Sequence, residues 1–295
     1  MDTPEAAQFT VRPLHPVVGA EVIGLDLAQD LDNETFARVE DLFLEHKVLV
    51  FRDQTLTPAQ HVRFSRCFGP LAHHVSKPYI LPGNPYVYVV SNIVENGKLI
   101  GVADAGPKWH SDFCYLERPA RASLLYALEV PVIDGVARGD TSFADTAAAY
   151  DALPDDLRDR LAAVRGVYRF THQYDQRVKS GAKLQPLTDE QRKMVPEVSH
   201  PVFRTHPYTG RKCIFVNELH TTAIAGMAET ESATLLAQLY AHIAQPQFVY
   251  RHNWRSGDLV LWDNSATQHI ANSKDYALPY RRRMHRTTVR GQRTF

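Results

Sequence analysis

The sequence predicts an α+β fold class that is mainly β, and three observations carry that expectation. Short runs of β-branched, aromatic and aliphatic residues recur along the chain, bounded by Pro- and Gly-rich loops. From Trp109 onward these runs dominate. Helical periodicity, with apolar residues three and four apart, is confined to a few stretches between them.

Taken in order, Phe9 to Leu14 and Ala20 to Leu27 read as short strands. Between Asn33 and His46 the spacing of Phe36, Val39, Leu42 and Phe43 predicts a helix, and Val48-Leu49-Val50-Phe51 then reads as a buried strand. Thr57-Pro58-Ala59-Gln60 opens a second helix. Threonine caps, proline suits the first helical position, glutamine reaches back to the cap, and Gly69 marks the far end. Tyr86 to Val90, Ala122 to Val130, Ile214 to Asn217 and Asp258 to Trp262 are strand candidates. Thr146 to Ala152, Pro154 to Val164 and Thr230 to Ile243 are helix candidates. Residues 171–199 are polar and weakly periodic. So long a connection in a compact domain is usually functional, which makes a lid over the site the expectation and a surface excursion the plainer alternative. No repeat or linker divides the chain, so residues 1–295 are expected to form a single domain.

Lys+Arg and Asp+Glu each number 33, so no global field draws the chain to nucleic acid or an anionic membrane. Any anion must be held by local cations. The N-terminus is acidic without an apolar core, and no later run has the length of a membrane span; the expected location is cytoplasmic. Three cysteines (Cys67, Cys114, Cys213) without CxxC spacing argue against a disulfide framework or a Cys-rich zinc site. Cys114, two residues past Asp112, is a candidate to line a site.

Two distant fragments carry the chemistry. Trp109-His110-Ser111-Asp112 and Trp262-Asp263-Asn264-Ser265-Ala266-Thr267-Gln268-His269 together supply two imidazoles and a carboxylate, the ligand set of a non-haem Fe(II) oxygenase. In an extended strand, His110 and Asp112 would share a face. His269 follows a continuous apolar strand and the turn-forming pair Asp263-Asn264. Singly, each of fourteen histidines is more often structural or exposed than a ligand. The order of the motifs changes that balance. Beyond His269 comes Arg281-Arg282-Arg283-Met284-His285-Arg286-Thr287-Thr288-Val289, in which alternation puts Arg282, Met284, Arg286 and Thr288 on one face. Guanidiniums inside a barrel are costly to desolvate unless each meets an anion, and their forked donors suit a carboxylate or sulfonate. The plainer alternatives are an edge strand protected by charge, or a polyanion-binding patch.

The series Trp109-His110-Ser111-Asp112, Gly139-Asp140-Thr141, Trp262-Asp263-Asn264 with Thr267-Gln268-His269, and Arg282 with Met284-His285-Arg286-Thr287-Thr288 resembles the taurine/2-oxoglutarate dioxygenase family, which includes the 2,4-dichlorophenoxyacetate and alkylsulfatase dioxygenases. Val48-Leu49-Val50-Phe51-Arg52, Phe68-Gly69-Pro70-Leu71 and Arg204-Thr205-His206-Pro207 with Thr209-Gly210-Arg211-Lys212 fit it too, so the likeness spans nearly the whole chain. The resemblance implies a double-stranded β-helix (jelly roll) core flanked by helices, and a homo-oligomer. It implies that His110, Asp112 and His269 bind Fe(II), that Arg282 and Thr141 hold 2-oxoglutarate, and that Arg286 and His74 contact a small anionic organic substrate. With O2, the implied reaction hydroxylates that substrate and yields succinate and CO2.

Two departures bear on the substrate. Gly106 stands where the taurine enzymes carry a substrate-binding Asn, and Lys77 where they carry an aromatic residue, which points away from taurine. Sulfonate, alkyl sulfate, aryloxy acid and similar carboxylates stay open. A zinc-dependent hydrolase using the same His/Asp/His set is the alternative reading, since an open three-ligand site also activates water on zinc; a non-catalytic anion-binding β-barrel is a third. The paired Arg282 and Arg286 argue against the hydrolase, which has no use for a 2-oxo acid anchor.

Overall fold

Val48–Phe51 is buried on both faces because it lies inside a seven-stranded sheet. In the computed structural model, which describes residues 8–74, 77–181 and 186–295, the strand order of this sheet is Thr10–Pro13, Ala20–Ile23, Val48–Phe51, Leu259–Asp263, Ala120–Glu129, Arg283–Arg290 and Tyr88–Ser91. All neighbours are antiparallel except Ala20–Ile23 and Val48–Phe51, which run parallel. Strand alternation then sorts the side chains. Leu49, Phe51, Leu124, Tyr126, Leu259 and Leu261 pack on one face with Val39, Phe43, Phe64 and Phe68, contributed by or adjoining the helices Asn33–His46 and Pro58–Cys67. Val48, Val50, Leu125, Ala127, Val260, Trp262 and Met284 occupy the other face.

That second face meets a three-stranded antiparallel sheet of Val249–His252, Thr141–Asp145 and Thr267–Ala271, which contributes Phe143 and Tyr250 to the shared core. A further sheet of Val198–Pro201, Arg165–Tyr168 and Thr221–Ile224 extends the β structure. The result is a mixed fold, mostly sheet with few helices. Among the described residues no helix is long and apolar enough to cross a membrane.

Local signals explain most boundaries. The helix Asn33–His46 forms as expected, with Asp32 accepting from the backbone N–H of Thr35 and Lys47 closing it in the left-handed region. The capping box of Thr57 and Gln60 is present, with Pro58 at the first position. Three expectations need correction. Residues 171–199 are not a plain loop: Phe170–Lys179 and Asp189–Met194 are helices, while residues 182–185 lie outside the described ones. The strand expected at Ile214 to Asn217 is Lys212–Ile214, because Asn217 turns the chain by accepting from the His220 N–H. His110 to Asp112 do not form a strand; His110 makes an isolated antiparallel bridge with His269, and the chain turns at Phe113, whose φ is +55°.

Candidate active site

The bridge between His110 and His269 is the structural root of the site. Each backbone N–H donates to the other's carbonyl, at 3.1 Å and 2.8 Å, so two residues far apart in sequence present neighbouring imidazoles 4.1 Å between ring centroids. Asp112 reaches the same point through the turn rather than through strand alternation, its N–H donating to Asn264 Oδ1 at 3.0 Å. One potential ligand atom from each of His110, Asp112 and His269 lies within 4.8 Å of the others, and all three residues are buried.

Protonation favours metal binding at this cluster. Burial lowers the pKa of His110, and burial with the neighbouring His110 lowers that of His269 well below the ordinary range, so both imidazoles are neutral. His110 Nδ1 lies 2.9 Å from the Lys108 carbonyl, which makes Nδ1 the donor and frees the lone pair of Nε2. Burial raises the Asp112 carboxyl, but Arg286, the two imidazoles and the Ser123 hydroxyl outweigh it and hold the group below its usual value. Two neutral imidazoles, an ionised carboxylate and a buried His269 Nδ1 with no partner among the described residues fit a divalent ion.

His110 and Asp112 open onto a cavity of about 290 Å³. Arg286 projects into it from the inward face of Arg283–Arg290, donating from Nη1 to Asp112 Oδ1 at 3.1 Å, while its Nε has no partner among the described residues. His74 also lines the cavity. Its ring stacks on Tyr88 at 4.1 Å, meets Phe113 edge-on at 5.1 Å, and has an Nε2 with no partner among the described residues. Much of the remaining wall is aromatic, with Tyr79, Phe113, Tyr115, Phe170 and Tyr174, and polar side chains such as Asp104, Gln173 and Gln191 complete it. Phe170, Gln173, Tyr174 and Arg177 come from one face of Phe170–Lys179, and Arg177 ties that helix to Asp104 at 2.8 Å.

Arg282 and Thr141 sit deeper and do not line this cavity. Thr141 pairs with Ala271, two residues from His269, and its Oγ1 accepts from Trp254 Nε1 at 3.0 Å, which leaves the hydroxyl proton to donate elsewhere. Arg282 is buried immediately before its strand, packed against Tyr276 and Gly139; Nη2 makes a long 3.5 Å bond to the Gly139 carbonyl and Nε is unpartnered among the described residues. Burial lowers its pKa, opposed by Tyr276, Asp275 and Asp140. Cys114, in contrast, does not line the site: it is buried with Tyr168 and Phe215 and accepts from Asn217 Nδ2 at 3.2 Å.

A profile described as taurine catabolism dioxygenase TauD, TfdA family matches residues 10–288. The chain belongs to this family. The alpha-ketoglutarate-dependent 2,4-dichlorophenoxyacetate dioxygenase of Cupriavidus pinatubonensis is 36% identical over 290 residues, covering 94% of this chain and 96% of that protein. A taurine dioxygenase from Burkholderia xenovorans superposes with a TM-score of 0.79 at 31% identity, covering 96% of this chain and 90% of that one. AAD-2, solved in complex with Mn(II) and N-oxalylglycine, gives 0.79 at 32% identity, with coverage of 97% and 99%. The chain is a 2-oxoglutarate-dependent dioxygenase, with Fe(II), 2-oxoglutarate and O2 as cofactor and co-substrates. The zinc-hydrolase alternative finds no support among these relatives.

Within this dioxygenase, the structure explains one residue that the sequence flagged and adds another that it missed. Gly106 has φ +67°, and a Cβ there would come within 2.6 Å of His110 Cε1. Its carbonyl also accepts from Ala271 N–H, so the backbone passes too close to the imidazole for any side chain. The sequence showed the departure at Gly106 but not the proximity behind it. The side chain of Lys77 lies outside the described residues. His220 lines the cavity beside Tyr115 and Phe170, with Nδ1 unpartnered among the described residues and its pKa lowered to about 3 by burial and by His110. Its spacing carried no metal-ligand signal.

Proposed function

We propose that this dioxygenase hydroxylates a small aromatic carboxylate of the aryloxy acid type, with succinate and CO2 as co-products. One observation carries the reading: the Arg286 guanidinium stands beside His110 and Asp112 in a cavity whose wall is rich in aromatic side chains, while Arg177, also on that wall, is engaged by Asp104. A short alkyl sulfonate leaves such a wall largely unfilled, whereas an aryl group meets it ring on ring. The similarity to a 2,4-dichlorophenoxyacetate dioxygenase supports the same class.

His110, Asp112 and His269 would hold Fe(II), and Arg282 with the Thr141 hydroxyl would hold the distal carboxylate of 2-oxoglutarate, the buried guanidinium with no carboxylate bonded to it among the described residues being the feature that fits an anion. When bound, iron and 2-oxoglutarate supply with O2 the oxidising power for hydroxylation. The chain's own work is placement. Arg286 neutralises Asp112 through Nη1 and keeps its remaining donors for the substrate carboxylate, fixing how far the oxidised carbon lies from the anchor. His74 steadies the anion end, and the helix Phe170–Lys179 serves as part of the lid over the mouth, keeping water out. In this reading the chain is one domain whose two facing sheets form the double-stranded β-helix.

The test is a panel of phenoxyacetate, an alkyl sulfate and taurine, each assayed for succinate formation coupled to its own consumption. Coupled turnover of phenoxyacetate is expected. Turnover of taurine alone would contradict the assignment.

A further inference from the structure

Asp112 presents two oxygens, and the protein treats them differently. Oδ1 faces the imidazole of His110, 3.9 Å from Nε2, and receives Arg286. Oδ2 accepts from Ser123 Oγ at 2.6 Å, a charge-assisted bond. The Ser123 oxygen in turn accepts from Asn264 Nδ2 at 3.0 Å. Asn264 Oδ1 closes the loop, accepting from the Asp112 backbone N–H at 3.0 Å and from Trp262 Nε1 at 3.1 Å. Ser123, Asn264 and Trp262 are all buried, and each belongs to or directly follows a central strand of the large sheet.

We propose that Ser123 and Asn264 are positioning residues for Asp112, occupying Oδ2 and anchoring its backbone so that Oδ1 is presented to the metal beside His110. This rests on the reading of Asp112 as a metal ligand. The chain turns away from strand pairing at Asp112, so the regular ladder does not orient this carboxylate. The Ser123–Asn264 network does so instead, from the rigid sheet. A hydroxyl placed there merely to satisfy its own hydrogen bonds could use any carbonyl of the sheet; this one spends its proton on the ligand and its lone pair on the amide that holds the ligand's backbone.

The experiment is calorimetric titration of the apoprotein with Co(II), paired with the visible spectrum of the complex. Ser123→Ala is expected to raise the Co(II) Kd by about 10- to 100-fold, the range seen when outer-shell partners are removed, and to shift the absorption band because the carboxylate can rotate. Asn264→Asp keeps the acceptor for Asp112 and Trp262 but offers the Ser123 proton a competing carboxylate. It too is expected to weaken binding, whereas added negative charge acting alone would tighten it. Unchanged Kd and band in Ser123→Ala, or tighter binding in Asn264→Asp, would overturn the proposal. So would a loss of amplitude matching only the unfolded fraction by circular dichroism. Asp112→Ala separates the layers. If it binds Co(II) like the wild type, the metal-site reading itself falls; if it alone loses the metal, only the role of Ser123 and Asn264 falls.

Discussion

Arg282 and Arg286 lie four positions apart in sequence yet live in different surroundings, and their substitution should separate accordingly. Arg282 is buried, with an Nε unpartnered among the described residues. Its replacement by alanine is expected to raise the KM for 2-oxoglutarate by about 10- to 100-fold, the worth of a hydrogen bond to a charged group; unchanged co-substrate affinity in steady-state kinetics would contradict that role. Arg286→Ala should abolish coupled turnover of the prime substrate while 2-oxoglutarate binding is largely retained, and equal damage to both would show that the two guanidiniums share one ligand. Gly106→Ala forces a methyl group against His110 in a left-handed backbone. Since a displacement of about 1 Å at a reacting centre can cost about a hundredfold, activity should fall by at least about tenfold, and a fully active variant would mean that the His110 ring can yield.

At the level of elements, what was legible followed the strength of the local signal. Asn33–His46 carried both an apolar stripe and a cap, and Val48–Phe51 and Leu259–Asp263 are continuous apolar runs; all three appear where expected, within a residue. Phe170–Lys179 was hidden because none of its residues is buried and its cavity-facing side mixes Phe170 and Tyr174 with Gln173 and Arg177, so no purely apolar stripe marks it. Its neighbour Asp189–Met194 did carry a readable sign, the Thr188 and Gln191 capping box. Among site residues, His110 and His269 were legible from type and order, but their pairing through a two-residue bridge, and the aim of Asp112 by Asn264 rather than by alternation, are tertiary facts without sequence periodicity. The helix Pro58–Cys67 offers a test at this scale. Thr57→Ala removes its cap and should cost about 1 kcal/mol in urea denaturation, with no change in KM for either substrate, because this helix packs on the outer face of the large sheet.

Across the whole molecule, the buried neutral histidines tie stability to pH. Burial, then the nearby His285, lowers His61 to about 3, and burial, then Arg204, lowers His200 to about 4. Thr287 and Tyr126 also face His61, and Thr294 and Arg165 face His200. In the unfolded chain both titrate near the ordinary imidazole value of 6.5, so between that pH and about 4 the unfolded state binds more protons. Their contribution is therefore fully present above 6.5 and is lost as pH falls through this window, at up to about 1.4 kcal/mol per pH unit for each. The urea midpoint should drop steadily from pH 7 to pH 5, and a flat midpoint would show that both rings are already protonated in the fold.

The central claim is that His110, Asp112 and His269 gather one ferrous ion beside an anchored 2-oxo acid. Anaerobic mixing of the apoprotein with Fe(II) and 2-oxoglutarate, followed by visible absorbance, tests it most directly. The wild type and Arg286→Ala should develop a new visible band, and His110→Ala and His269→Ala should not. A band that survives loss of either histidine, or fails to form in the wild type, would contradict the account.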